Sequence, residues 1–192
     1  MCAAPSSIPP VKASLTALHE RYQAAYQAAG QQPQTEYIGE WDAPCFIGEV
    51  RYGLIDWKAV PQQPGLDFSG VEQGLESQLN EQVKSFYGLF YAADLHLSFD
   101  GHPLTLSQVI ADEDADRLQR NLIAHVLMKR KLQQAITLFI GTSEESEDLI
   151  ISVDNLTGEV GLEYAGKPQH EVLAKDLAEF LQRVEPRVVS PE

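Results

Sequence analysis

The stretch Leu95-His96-Leu97-Ser98-Phe99-Asp100-Gly101-His102-Pro103-Leu104-Thr105-Leu106 decides the fold class. Leu95–Phe99 and Leu104–Val109 read as strands, and the Asp100-Gly101 pair between them is a strong hairpin signal, because both residue types accept positive φ. A second pair of strands follows. Leu149–Val153 and Val160–Tyr164 flank the turn Asp154-Asn155-Leu156-Thr157-Gly158. In the later strand Val160, Leu162 and Tyr164 alternate with Glu159, Gly161 and Glu163, so the pattern predicts one wet face. Ile136–Ile140 is a continuous apolar run, as expected of a strand covered on both sides. Upstream, Cys45–Ile47 and Val50–Val60 read as strands, with Gly48 and Gly53 marking a turn or bulge.

Four amphipathic helices separate these runs. The first places Leu15, Leu18, Tyr22, Tyr26 and Ala29 at helical spacing and is ended by Gly30 and Pro33. The second opens on Ser69 with Glu72 three residues later, which reads as a capping box. Its stripe is Val71, Leu75, Leu79, Val83, Phe86, Tyr87 and Phe90, with Gly74 and Gly88 weakening an unbroken helix. The third spans about 113–131, with Leu118, Leu122 and Val126 inward. The fourth carries Leu173, Leu177, Phe180, Leu181 and Val184 and stops at Pro186. Consecutive antiparallel strands between helices indicate an α+β fold: a single domain, its mixed or antiparallel sheet flanked by about four helices. The expected domain is residues 12–187, with a flexible tail at 1–11 and a short one at 188–192.

With 28 acidic against 14 basic residues, the chain carries a formal charge of -14 over 192 residues. The excess is local: residues 36–58 carry a net -3, residues 59–100 a net -5, and residues 136–165 hold seven acids and no base. Charge of this kind speaks to partner sign rather than to fold. It disfavours nucleic acid and anionic lipid, and a cationic protein surface is its natural counterpart. The run Glu144-Glu145-Ser146-Glu147-Asp148 has two readings. It is a solvated hairpin tip, or it belongs to a binding surface together with Glu36, Glu40, Asp42, Glu49 and Asp56.

Catalytic signals are missing from the sequence. Asp112, Asp114 and Asp116 match the first ligand positions of a calcium loop, but Arg117 stands where the turn needs glycine and Ile123 where the bidentate glutamate belongs. Acids at a helix start and Lys129, Arg130 and Lys131 at its end are better read as complements of the helix dipole. His19, His96, His102, His125 and His170 fall in no HExxH or nucleophile motif. His125 lies on the inward stripe of the third helix and reads as a satisfied, partly buried histidine. Cys45 reads as a small core residue, and Cys2 and Cys45 make no redox or metal pattern. No glycine-rich phosphate loop is present. The expectation is therefore a chain that is not an enzyme, with no metal, no cofactor and no small-molecule substrate. No signal peptide and no apolar run near ~20 residues is read, which predicts a cytosolic protein.

Several segments carry a resemblance. Asn121-Leu122-Ile123-Ala124-His125, Thr137-Leu138-Phe139-Ile140, Ile151–Val160 and Leu177-Ala178-Glu179-Phe180-Leu181 resemble signature segments of the Syd family. Ser85-Phe86-Tyr87-Gly88, Ala93-Asp94-Leu95-His96 and Pro44-Cys45 after Trp41 are similar in the same way. The matches keep their order from about residue 12 to 187. The resemblance implies a fold related to the SMI1/KNR4-like group, whose other members include bacterial toxin-immunity proteins. It implies a cytosolic protein held loosely and peripherally at the cytoplasmic side of the inner membrane by the SecY translocon. It further implies an acidic concave surface that meets basic cytosolic loops of SecY, with a role in checking or limiting that channel. It brings no catalytic motif, and it assigns no contact residues, so the acidic candidates rest on charge. The rival within the binding class is an immunity-type inhibitor of a basic toxin or nuclease. The rival enzyme is a carboxylate-based hydrolase, which needs two acids in one pocket and a shifted pKa.

Overall fold

A computed structural model describes residues 10–190. In chain order the elements are α1 (Pro10–Ala28), β1 (Gln34–Glu36), β2 (Phe46–Arg51), β3 (Leu54–Trp57), β4 (Val60–Pro61), α2 (Ser69–Leu75) and α3 (Glu81–Gly88). There follow β5 (Phe90–Tyr91), β6 (Leu95–Phe99), β7 (His102–Leu106), α4 (Asp112–Lys131), β8 (Thr137–Ser143), β9 (Leu149–Asp154) and β10 (Val160–Tyr164). The chain closes with β11 (Gln169–Ala174), α5 (Leu177–Arg183) and β12 (Glu185–Pro186). The domain is α+β, as its pattern of elements predicts. Its main sheet is antiparallel throughout, in the order β11-β10-β9-β8-β7-β6-β12. A small sheet, β1-β3-β2, and the pair β4-β5 stand beside it.

The hairpin signal holds at its turn. Asp100 and Gly101 take φ of 48° and 85°, and β6 and β7 pair from Phe99↔His102 to Leu95↔Leu106. Positive φ at both turn residues matches the right-handed twist of the strands, which is why this dipeptide sets the register. Leu95, Leu97, Leu106, Leu138, Val153 and Val160 have no exposed surface. Each such side chain contributes about 1.5–3 kcal/mol relative to exposure. Cys45 belongs to this core, as expected.

Five helices stand among the described residues where four were expected, because the second is broken. Glu76 is left-handed (φ 50°), which stops α2, and Asn80 caps α3 by accepting from Gln82 N. The capping box does not form. Ser69 is inside the helix and bonds Asp67, while Glu72 accepts from Leu79 N and Lys84 Nζ. The final helix is shorter than its apolar stripe, since Leu173 lies in β11 and Asp176 caps α5. Two edge strands, β1 and β11, escape a pattern reading because β1 is only three residues long and β11 is exposed along most of its length.

The chain enters α1 at Pro10, and Val11 is already buried, so residues 10 and 11 belong to that helix rather than to a tail. The remainder of the expected N-terminal tail, residues 1–9, lies outside the described residues, as do residues 191 and 192. Within the described residues no helix is long and apolar enough to cross a membrane.

Candidate functional site

The two faces of the main sheet are dressed differently. Leu104 and Thr105 are consecutive in β7 and so point to opposite faces. The Leu104 face carries Leu97 and Ser143 by register, and the Thr105 face carries His96 and Thr142. On the second face α4 covers β8–β10. There Lys129 Nζ reaches Glu163 at 2.9 Å, Ser152 Oγ donates to Glu163 at 2.8 Å, and His125 Nε2 meets Thr137 Oγ1 at 3.1 Å. This corrects the expected wet face of β10. Glu163 is fully buried and Tyr164 is 43% exposed. The counter-charge comes from α4, which the local alternation in β10 does not reveal. Burial holds the His125 imidazole below its ordinary pKa, against the pull of Glu163.

Beyond the start of α4 the same face is open over β6 and β7. There it forms a hollow of about 810 Å³, walled by β1 and β3 of the small sheet. Four carboxylates line it, from Glu36, Asp94, Asp114 and Glu144, against one guanidinium, Arg117. Glu36 stands on β1 opposite Leu54. Asp94 accepts from Gln108 N at 3.1 Å. Its carboxyl meets solvent on the open side only, and protein crowding on the others raises its pKa, Asp114 adding to the effect. Asp114 accepts from Ile110 N at 3.0 Å and from Arg117 at 2.6 Å, and the Arg117 guanidinium stacks over Trp41. Glu144 pairs with Arg187 and accepts from Thr105 Oγ1 at 3.0 Å. Burial pushes the Glu144 carboxyl up, but bonds from Arg187, Thr105 and His96 outweigh it and hold it below its ordinary value.

Of the nine acidic candidates, Glu36 and Glu144 line the hollow. Asp56 shares the strand face of Glu36, its carboxylate held by Gln34 at 2.8 Å. The others do not converge on it. Glu40 and Asp42 are exposed in the loop before β2, and Glu49 is exposed on β2 itself. Glu147 and Asp148 are exposed at the β8–β9 tip, where Ser146 bonds Asp148. Glu145 turns to the opposite sheet face, 2.7 Å from His102 Nδ1. Thus the tip is neither wholly solvated nor wholly part of one surface. Asp94 and Asp114 were missed as members of the hollow. No local period marks Asp94, and the helix dipole by itself accounts for an acid at Asp114.

The three aspartates at the start of α4 go separate ways: Asp112 accepts from Tyr91, Asp114 is buried, and Asp116 is exposed. Among the described residues no group of His, Cys, Asp and Glu is placed to hold a metal ion. Thr105 gives its one hydroxyl proton to Glu144, leaving a lone pair for His96 Nδ1 at 3.3 Å. That is the reverse of what an activated nucleophile requires, where the imidazole takes the hydroxyl proton.

The sequence profile of the family described as Syd protein (SUKH-2) matches residues 12–186. Relatives named Protein Syd include one from Idiomarina loihiensis, 39% identical over 80% of this chain and 84% of its own. Another, from Psychromonas ingrahamii, is 39% identical over 88% of this chain and 92% of its own. A third, from Pseudoalteromonas translucida, is 40% identical over 89% and 96%. On the profile match and these identities, the chain belongs to the Syd family.

Proposed function

We propose that this chain is a non-enzymatic binding protein that docks on basic cytosolic loops of the SecY channel and restrains it. The observation that carries the reading is the hollow, in which four carboxylates, Glu36, Asp94, Asp114 and Glu144, outnumber the two guanidiniums that reach them, Arg117 and Arg187. Charge of opposite sign on the two partners raises the encounter rate by about 10- to 1000-fold at low salt. Cytosolic loops of membrane proteins are rich in Lys and Arg, whereas anionic lipid repels a chain of net charge -14. The membrane is therefore reached through the protein partner and from its cytoplasmic side. Family membership supports the choice of partner, and the hollow supports the mode.

The test is co-sedimentation with vesicles containing SecY and with vesicles of the same lipids alone. Recovery on SecY vesicles only, lost in Glu36→Lys/Asp94→Lys, is the expected result. Equal recovery on both vesicle types overturns the reading. Retention by the double variant overturns the hollow as the contact.

A further inference from the structure

The opposite face of the sheet is incompletely covered as well. Where α5 ends, a trough of about 340 Å³ runs across β7–β11. Its floor is apolar: Leu104, Leu149 and Ile151 are at most 8% exposed, with Leu162 and Leu173 half-buried beside them. Its rim carries Asp100, Glu145 and Glu171, and neither Lys nor Arg lines it. Arg183 beside it is engaged, stacked 4.4 Å over Phe99 and bonded to Asp100 at 3.1 Å. His102 pairs with Glu145, and His170 stacks on Tyr164 with rings 5.2 Å apart. Glu144 and Glu145, adjacent in sequence, thus serve two concavities on opposite faces of one sheet.

We propose that this trough is a second docking surface, for a cationic segment with an apolar anchor, so that the protein holds two basic segments at once. An aliphatic side chain fits the floor, and flanking lysines or arginines meet Glu145 and Glu171. Charge complementarity supports this occupant, since an acidic rim around a partly covered apolar floor has the core-and-rim arrangement of a protein interface. It does not need the hollow to be occupied, though it rests on the reading of the chain as a binder of basic segments. Two weak contacts on one rigid body raise the apparent affinity for a partner with two basic segments well above that of either contact.

The experiment is a titration of the ¹⁵N-labelled protein with acetyl-Lys-Arg-Leu-Arg-Lys-amide, read by amide chemical shifts, with acetyl-Ser-Ser-Leu-Ser-Ser-amide as the uncharged control. Expected are two separate sets of shifts with the cationic peptide: one at Ile151, Leu162 and His170, the other at Glu36, His96 and Thr105. In Glu145→Lys/Glu171→Lys the first set weakens by about tenfold or more, while the second persists and reports an intact fold. Shifts confined to the hollow overturn this inference and leave the proposed function standing. Trough shifts that survive the double variant, or that the control peptide reproduces, also overturn it. Shifts in the trough alone support it and remove the hollow, and shifts in neither place remove both.

Discussion

Lys129 Nζ lies 2.9 Å from a carboxylate oxygen of Glu163, and neither side chain has any exposed surface. Removing one partner leaves a buried charge without its counter-ion, at a cost of about 3–5 kcal/mol. Glu163→Gln and Lys129→Met should each lower stability by that order in urea titrations. The double variant Lys129→Met/Glu163→Leu should recover a large part of the loss. Full recovery is not expected, because Lys167 O then loses the Lys129 ammonium and the Ser152 hydroxyl proton loses its acceptor, although Gln169 still donates to Ser152 Oγ.

Acid should weaken the fold before most carboxylates titrate. Burial holds the His19 imidazole near pKa 4, with Gln108 opposing it only partly. The unfolded chain takes up that proton at about 6.5, so stability is full above 6.5, falls as pH drops, and stops falling near 4. The loss from His19 is at most about 3 kcal/mol. Asp94 acts in the other direction, since its raised carboxyl binds a proton more readily when folded. Urea midpoints measured across this window should therefore slope less in His19→Gln than in the parent.

Cation binding in the hollow should depend on pH through Asp94. A guanidinium or ammonium prefers the ionised carboxylate, so affinity should rise as pH climbs through the raised Asp94 value. Calorimetry of the cationic peptide in the parent and in Asp94→Asn checks this. The variant should lose that pH dependence, and raising salt should weaken binding in both.

Gln82 ties three segments together. It accepts from Leu177 N at 2.7 Å, donates to Gly158 O at 3.2 Å, and its own backbone N–H is capped by Asn80. Gln82→Leu strands the Leu177 amide at the start of α5 and should cost about 1–3 kcal/mol. Leu156, 92% exposed in the nearby turn, should tolerate Ser with almost no change. Thermal unfolding of the two variants compares them directly.

Much of the element pattern was legible because it is written in local periods. Asp100-Gly101 could only turn, and the stripe Leu118, Leu122 and Val126 could only face inward. The errors occur where a distant residue overrides a local period. Glu163 reads as wet until Lys129 is placed above it. Glu72 reads as a cap until Lys84 and the Leu79 amide claim it. The exposed β11 offers no alternation to read, with His170, Glu171 and Val172 all open to solvent.

The amino-acid order alone determined an α+β domain, a strongly negative molecule, and the presence of acids in both halves of the chain. Which acids share a concavity was decided by tertiary structure. Glu36 and Glu144 line one hollow across more than half the chain, whereas Glu144 and Glu145, in the bend just past β8, part at one peptide bond to opposite faces of the sheet. Net charge is a sum over residues and survives any rearrangement. A binding hollow is a matter of distances, and those exist only once the sheet has formed.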